Sequence, residues 1–143
     1  MPEVSNAIAP CAELNDKYNE PIIETELWDR CVKAASGGDS GAQLEFALFL
    51  IRAHENNKNI QKGLYWLKES AKNGKRLAQI AIGGLLSRPE SGLELDLVQA
   101  YAWFVLAHDK QSMARVETMM DKEQLFQAKK LAESYVEKYR SEW

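Results

Sequence analysis

The chain has 143 residues, 45% of them hydrophobic and 27% charged, with a formal net charge of −3. That is one domain's worth of ordinary globular composition, with enough apolar content for a core. No apolar run approaches the roughly 18 residues of a membrane span, and no concentrated basic stripe of the nucleic-acid-binding kind is present.

The charge is uneven. Residues 1–29 carry seven acids against the single base Lys17, and the other 114 residues carry 14 acids and 17 bases. Residues 1–21 are therefore expected to be an acidic segment, partly ordered or a short helix, ahead of a repeat domain over 22–143. Acids stand where a secretory signal would have lysines, so the chain as written reads as cytoplasmic, or periplasmic if a signal has been removed. Cys11 and Cys31 match no zinc or redox motif. They can meet if residues 4–17 form a helix packed on the one holding Cys31, but in a cytosolic chain two reduced thiols are expected.

The stretch Gly37-Gly38-Asp39-Ser40-Gly41 lacks the lysine and preceding strand of a phosphate loop. It reads as a turn, with Asp39 or Ser40 capping the next helix. Residues 42–56 form a helix that is apolar almost all round, with Glu45, Arg52 and Asn56 gathered into one narrow polar stripe. Such a helix must be packed on two sides. Its partner runs from about Ile60 to Asn73, with Asn59 as N-cap and Gly74 at the C-terminal stop. Further helices are expected over 76–88 and 96–109, the second capped by Asp96. The segment "HDKQSMARVE" (108–117) leaves a short helix there undecided. Asp121 followed by Gln124 is a capping-box arrangement opening a terminal helix. No stretch has the two-residue alternation of a strand, so the chain is expected to be all-α.

The helices repeat. Residues 34–50 lie over 70–86 at an offset of 36, placing Ala35 on Ala71, Gly38 on Gly74, Ala42-Gln43 on Ala78-Gln79 and Ala47 on Gly83. Trp66 and Trp103 stand 37 apart, and are expected to fill the space between successive helix pairs. Trp28 is out of register, because Arg30 holds the position of Trp66, so the first unit is atypical, as terminal units often are. The recurring small residues mark places where paired helices approach closely.

A period of 36–37, an Ala-Gln opening the first helix, and a second helix with Ala100-Tyr101-Ala102-Trp103 and the near match Gly63-Leu64-Tyr65-Trp66 resemble the Sel1-like repeat family. The stretch from Met119 to Ala128 resembles the terminal helix that closes bacterial arrays of this kind. The resemblance covers about residues 25–138. It implies a short right-handed α-solenoid of about three helix-turn-helix pairs with a C-terminal capping helix. The family's glycine-rich inter-helix loop is replaced by "ENNKN" (55–59) and "RPESGLEL" (88–95). Some secreted relatives carry a cysteine pair within each repeat and were linked to penicillin binding. No such pair is expected inside a repeat here, so that activity is not carried over.

Neither His54 nor His108 has a partner at catalytic or metal-ligand spacing; surface or helix-end roles are expected, His108 suiting the dipole of a helix C-terminus. No catalytic, cofactor or metal site is expected, and the chain reads as non-enzymatic. The resemblance places the first helices of successive pairs along a concave surface. Its expected partner-binding floor is Glu45, Leu48 and Arg52 from one unit with Ala81, Gly84 and Arg88 from the next. The alternative is that Gly83-Gly84 only accommodates a neighbouring helix. The acidic N-terminal segment is a candidate internal peptide for that groove. Tyr135, Tyr139 and Trp143 form a stripe expected to cap the open end of the array.

The function expected is a protein-protein interaction module, monomeric when free. In its specific version it is a bacterial immunity protein neutralising a cognate toxin. A signalling or assembly adaptor is the sibling reading, and an enzyme with an inter-repeat site the remote one.

Overall fold

A computed structural model describes residues 2–17, 25–53 and 57–140, and among these there is no strand. The helices are α1 (Pro2–Asp16), α2 (Thr25–Ser36), α3 (Ser40–Ala53), α4 (Asn57–Lys72), α5 (Arg76–Leu86), α6 (Leu97–Leu106), α7 (Lys110–Glu117) and α8 (Lys122–Tyr135). A π-helical turn, Val136–Arg140, continues α8. Two compact units divide the chain, Met1–Ser70 and Ala71–Trp143.

In the first unit, α1 packs on α2 and α3. Its buried Cys11 and Leu14 lie 36 residues before Ala47 and Leu50, which are also buried. Residues 2–16 thus form a helix, packed as the first of a pair. Cys11 and Cys31 are joined by a disulfide, with their Cα atoms 4.6 Å apart, and both are fully buried. This corrects two expectations: the thiols are not reduced, and a cysteine pair does lie inside a repeat. The atypical first unit hid it, since the register was legible only from residue 34 onwards.

Around the disulfide lie Leu27, Ala35, Ala42, Phe46 and Phe49. Trp28 meets Phe46 and Phe49 edge-on at 5.1 and 5.8 Å, and Trp66 lies 5.7 Å from Phe46. Aromatic rings from α2 and α4 thus both pack on α3, in keeping with its all-round apolar character. Helix α4 begins at Asn57, so Asn59 lies within it and is not its cap. Ser70 Oγ donates to the Ser40 carbonyl at 2.6 Å, tying α4 to the start of α3.

The Ala-Gln signature has a mechanical role. Gln43 Nε2 donates to the Ala35 carbonyl at 3.0 Å, and Gln79 Nε2 to the Ala71 carbonyl at 3.1 Å. Each glutamine is buried and satisfies a carbonyl at the end of the preceding helix, which has no partner within that helix. The glycine that makes the turn possible, Gly38 or Gly74, has φ of 99° or 90°, a region closed to most side chains.

The third such turn is built from other residues. His108 adopts φ 57°, while His108 N–H reaches the Val105 carbonyl and Asp109 N–H the Phe104 carbonyl, the two bonds of a Schellman motif. Asp109 then caps α7 through Ser112 N–H at 3.2 Å. Met113 follows where the turn register calls for the glutamine, and it cannot donate. Arg140 donates instead to the Val105 and Leu106 carbonyls at 3.2 and 2.8 Å, and Arg76 donates to the Ala107 carbonyl at 2.7 Å. Two guanidinium groups at the end of α6 also suit its dipole.

The other expected caps are present. Asp96 accepts from Gln99 N–H at 3.0 Å, and Asp121 with Gln124 makes the full capping box of α8. Trp103 is buried against Tyr135 and Tyr139, with ring centroids at 4.8 and 5.8 Å, so these two members of the terminal stripe cover α6. Trp143 and His54 lie outside the described residues. Burial, reinforced by the neighbouring Tyr139 and Asp96, pushes the Tyr135 phenol up to about 12. In the unfolded chain the phenol ionises near 10, so there the unfolded state loses its proton first. Stability is expected to be unaffected by this group below pH 10 and to fall as pH rises towards 12. Urea titrations at stepped pH will show a shallower fall in Tyr135→Phe.

Candidate interaction cleft on the second unit

The six sequence-derived binding residues divide three to each unit. On α3, Glu45 accepts a hydrogen bond from Asn15 Nδ2 at 2.7 Å, so α1 holds its carboxylate. Leu48 is half-buried and Arg52 exposed. On α5, Ala81 and Gly84 are half-buried, and Arg88 is exposed just beyond the helix. The adjacent glycines differ. A Cβ on Gly83 would fall 2.5 Å from the Phe104 ring, whereas on Gly84 it would meet nothing within 4 Å. Gly83 is therefore required by helix packing; for Gly84, packing among the described residues supplies no such reason. Because Gly costs about 0.5–1 kcal/mol against Ala inside a helix, Gly84→Ala is expected to raise stability by that amount. Thermal unfolding checks it, and a loss of stability would show that the position is crowded.

A different site emerges from the tertiary packing. Helices α6, α7 and α8, with the π-helical turn, border a shallow, open cleft of about 480 Å³ lined by Tyr101, Val105, Met113, Ala132 and Val136, with Lys129, Glu133 and Glu137 also along it. The volume falls within the roughly 300–1,000 Å³ of ligand pockets, which are likewise mostly apolar with a few placed polar groups. Three causes shape it. Tyr101 comes from the Ala-x-Ala-Trp stretch that packs α6 into the unit. Met113 sits where a glutamine would close the turn. Val136 and Glu137 belong to a π-helical turn, a feature frequent at functional sites.

The Tyr101 hydroxyl donates to Glu117 Oε1 at 3.3 Å. Burial first, then the charge and hydrogen bond of Glu117, push its ionisation up, so it remains a neutral phenol at physiological pH. Its oxygen keeps lone pairs for a further donor. Among the described residues no group of three His, Cys, Asp or Glu is placed to hold a metal ion.

None of the five apolar and aromatic lining residues was legible as a site, because each reads as ordinary core. One signal was available in principle, the missing Gly and Ala-Gln after Trp103, since that is where the repeat changes its turn chemistry.

No family model matches this sequence, and no curated protein matches it. Among solved structures it is similar to the crystal structure of c5321, a protective antigen present in uropathogenic Escherichia coli strains displaying an SLR fold, with a TM-score of 0.73 and 25% sequence identity. The match covers 95% of this chain and 31% of that one, so the chain spans about a third of that protein's length. Such folds typically serve as non-enzymatic interaction scaffolds. With the 36-residue helical period, the recurring Ala-Gln lock and this structural match, the chain has the Sel1-like repeat fold, an all-α repeat of the α-solenoid class.

Proposed function

We propose that this chain is a non-enzymatic module that binds a partner protein, and that the cleft of α6, α7 and α8 is a principal contact. The observation that carries the reading is an apolar cleft bordered by charged groups and built between packed helices. A pre-organised surface loses little entropy on binding. The faces bearing Glu45, Leu48 and Arg52, and Ala81, Gly84 and Arg88, are proposed as further contacts, each acting within its own unit.

A photo-crosslinking residue placed at Met113 is expected to capture one partner from the native host, and the same residue at the exposed Gln127 to capture none. Parallel placements at Arg52 and Arg88 test the other faces. Equal capture from every position would remove the case for the cleft. The free chain is proposed to be a monomer, which light scattering checks.

The disulfide supports maturation in an oxidising compartment such as the periplasm, where such bonds persist. Fractionation of the native host followed by thiol labelling tests this; free thiols on the purified native protein would count against it. The version in which the partner is a toxin rests on the family resemblance alone. Growth rescue on co-expression with the captured partner is its test, and failure of rescue with retained binding favours an adaptor.

A further inference from the structure

Resting on the reading of the α5 face as a partner contact, we infer that Arg88 and Arg115 form a carboxylate-binding pair on it, and that its occupant is an acidic segment of a partner protein whose backbone crosses Gly84. Arg115 belongs to that face by register. Gly74 and His108 make corresponding left-handed turns, and Ala81 and Arg115 each follow seven residues later. Folding then brings the two arginines to one place. Arg115 Nη2 donates to Ser87 Oγ at 3.0 Å, and Ser87 is the residue before Arg88.

The fold does not use up these guanidinium groups. Arg76 and Arg140 satisfy carbonyls at the end of α6, but the end of α5 is closed without an arginine. There Ser87 N–H reaches the Gly83 carbonyl, Ser87 Oγ the Gly84 carbonyl and Asp96 N–H the Leu86 carbonyl. Arg115 is held in place by Ser87, itself buried, and by the Phe104 ring, 6.0 Å from its guanidinium carbon. That single bond to Ser87 leaves most of its five N–H donors open to a ligand. Arg88 is exposed, and among the described residues neither arginine forms an ion pair. Helix α5 contains no acid. Glu117 Oε1 is held by the Tyr101 hydroxyl, and the exposed Glu90, beyond Pro89, pairs with neither arginine. A carboxylate accepts from guanidinium groups in charge-assisted, bidentate fashion, whereas an amide is a weaker acceptor and an ammonium is none. Gly84 stands one helical turn before Arg88 on the same face. With nothing within 4 Å of where its Cβ would be, it leaves room for a backbone to approach beside the pair.

The probes are short fluorescein-labelled peptides that alternate Ala with Glu, Gln or Lys. Fluorescence anisotropy with the full chain at low salt is expected to rank them Glu, then Gln, then Lys, with the gap shrinking as salt is added. Arg88→Gln and Arg115→Gln, each checked for unchanged helicity, should weaken the Glu peptide by about two- to fivefold apiece. Lys129→Gln with Lys130→Gln, which removes the same charge from exposed positions on α8, should leave it unchanged. Gly84→Leu should weaken the Glu and Gln peptides at least about tenfold without loss of thermal stability. Equal affinity for the Glu and Gln peptides, with both weakened by Gly84→Leu, would overturn the carboxylate preference and leave the α5 face standing. Equal weakening by the α8 lysine pair would reduce the preference to net charge and overturn the site. Failure of the Glu peptide to bind, or binding that survives both arginine changes and Gly84→Leu, would overturn the pair. The photo-crosslink at Arg88 then decides separately whether the face is a contact.

Discussion

Trp103→Ala is expected to lower stability by about 3–5 kcal/mol, the range for removing a large aromatic from a core. Against the ~5–15 kcal/mol that holds a typical domain together, that loss is severe. Trp103 is 2% exposed and lies against both Tyr135 and Tyr139, the second ring nearly parallel to it at 10°. Removing the indole deprives both tyrosines of the ring they share and leaves them only their contact with each other at 5.5 Å. It also loosens the segment from which Arg140 reaches the carbonyls of Val105 and Leu106. Val136 and Glu137, which belong to the same turn, would then leave the wall of the cleft. Folding and partner binding at the cleft should therefore fail together.

Trp103→Phe separates the possible causes. The Trp103 Nε1 is buried and has no hydrogen-bond partner among the described residues, so replacing indole by phenyl forfeits no such bond there. The cost should be the smaller one of a volume change, about 1–2 kcal/mol. Urea unfolding followed by circular dichroism gives both values. If the phenylalanine variant falls as far as the alanine variant, the indole nitrogen has a partner in solution and the packing account is incomplete.

Reduction of the Cys11–Cys31 bond should have the second large effect, a loss of about 3 kcal/mol. The two cysteines are 20 residues apart in sequence, and closing a loop of that order restricts the unfolded chain by about that amount. The bond also stands at the contact between the helices of the first pair, where the next pair places Ala47 and Leu67, both fully buried, and the third places Gly83 against Phe104. The first pair thus uses a covalent link where the later pairs use packing.

Two measurements follow from that equivalence. Adding dithiothreitol should lower the urea midpoint and raise hydrogen exchange in α1 and α2, while amides around Trp103 keep their protection. Cys11→Ala with Cys31→Leu installs the residues of the second pair, and should retain more stability than Cys11→Ser with Cys31→Ser, which buries two hydroxyls. An unchanged midpoint on reduction would mean that the bond adds nothing to folding, and the case for an oxidising compartment would weaken with it.

The features legible in the residues are local or periodic. Asp96 lies three positions before the N–H it caps, and Asp121 and Gln124 answer each other across the same interval. Gly38 and Gly74 mark left-handed turns, because few other residues enter that region cheaply. Ala35, Ala42 and their counterparts 36 residues on announce close helix contact by their size. A chain segment carries such information in itself, whatever it later packs against. The pairing of Cys11 with Cys31, the left-handed His108, helix α7 and the cleft depend on partners brought together only by folding. Gly83 and Gly84 are alike as letters and differ because Phe104 lies over one of them. Met113 cannot satisfy the end of α6 as Gln79 satisfies the Ala71 carbonyl of the preceding helix, and the substitute, Arg140, comes from 35 residues beyond Val105. Helix periodicity and capping depend on neighbours a few residues away, whereas a cleft is the space left between side chains from several helices, so its lining is chosen by packing.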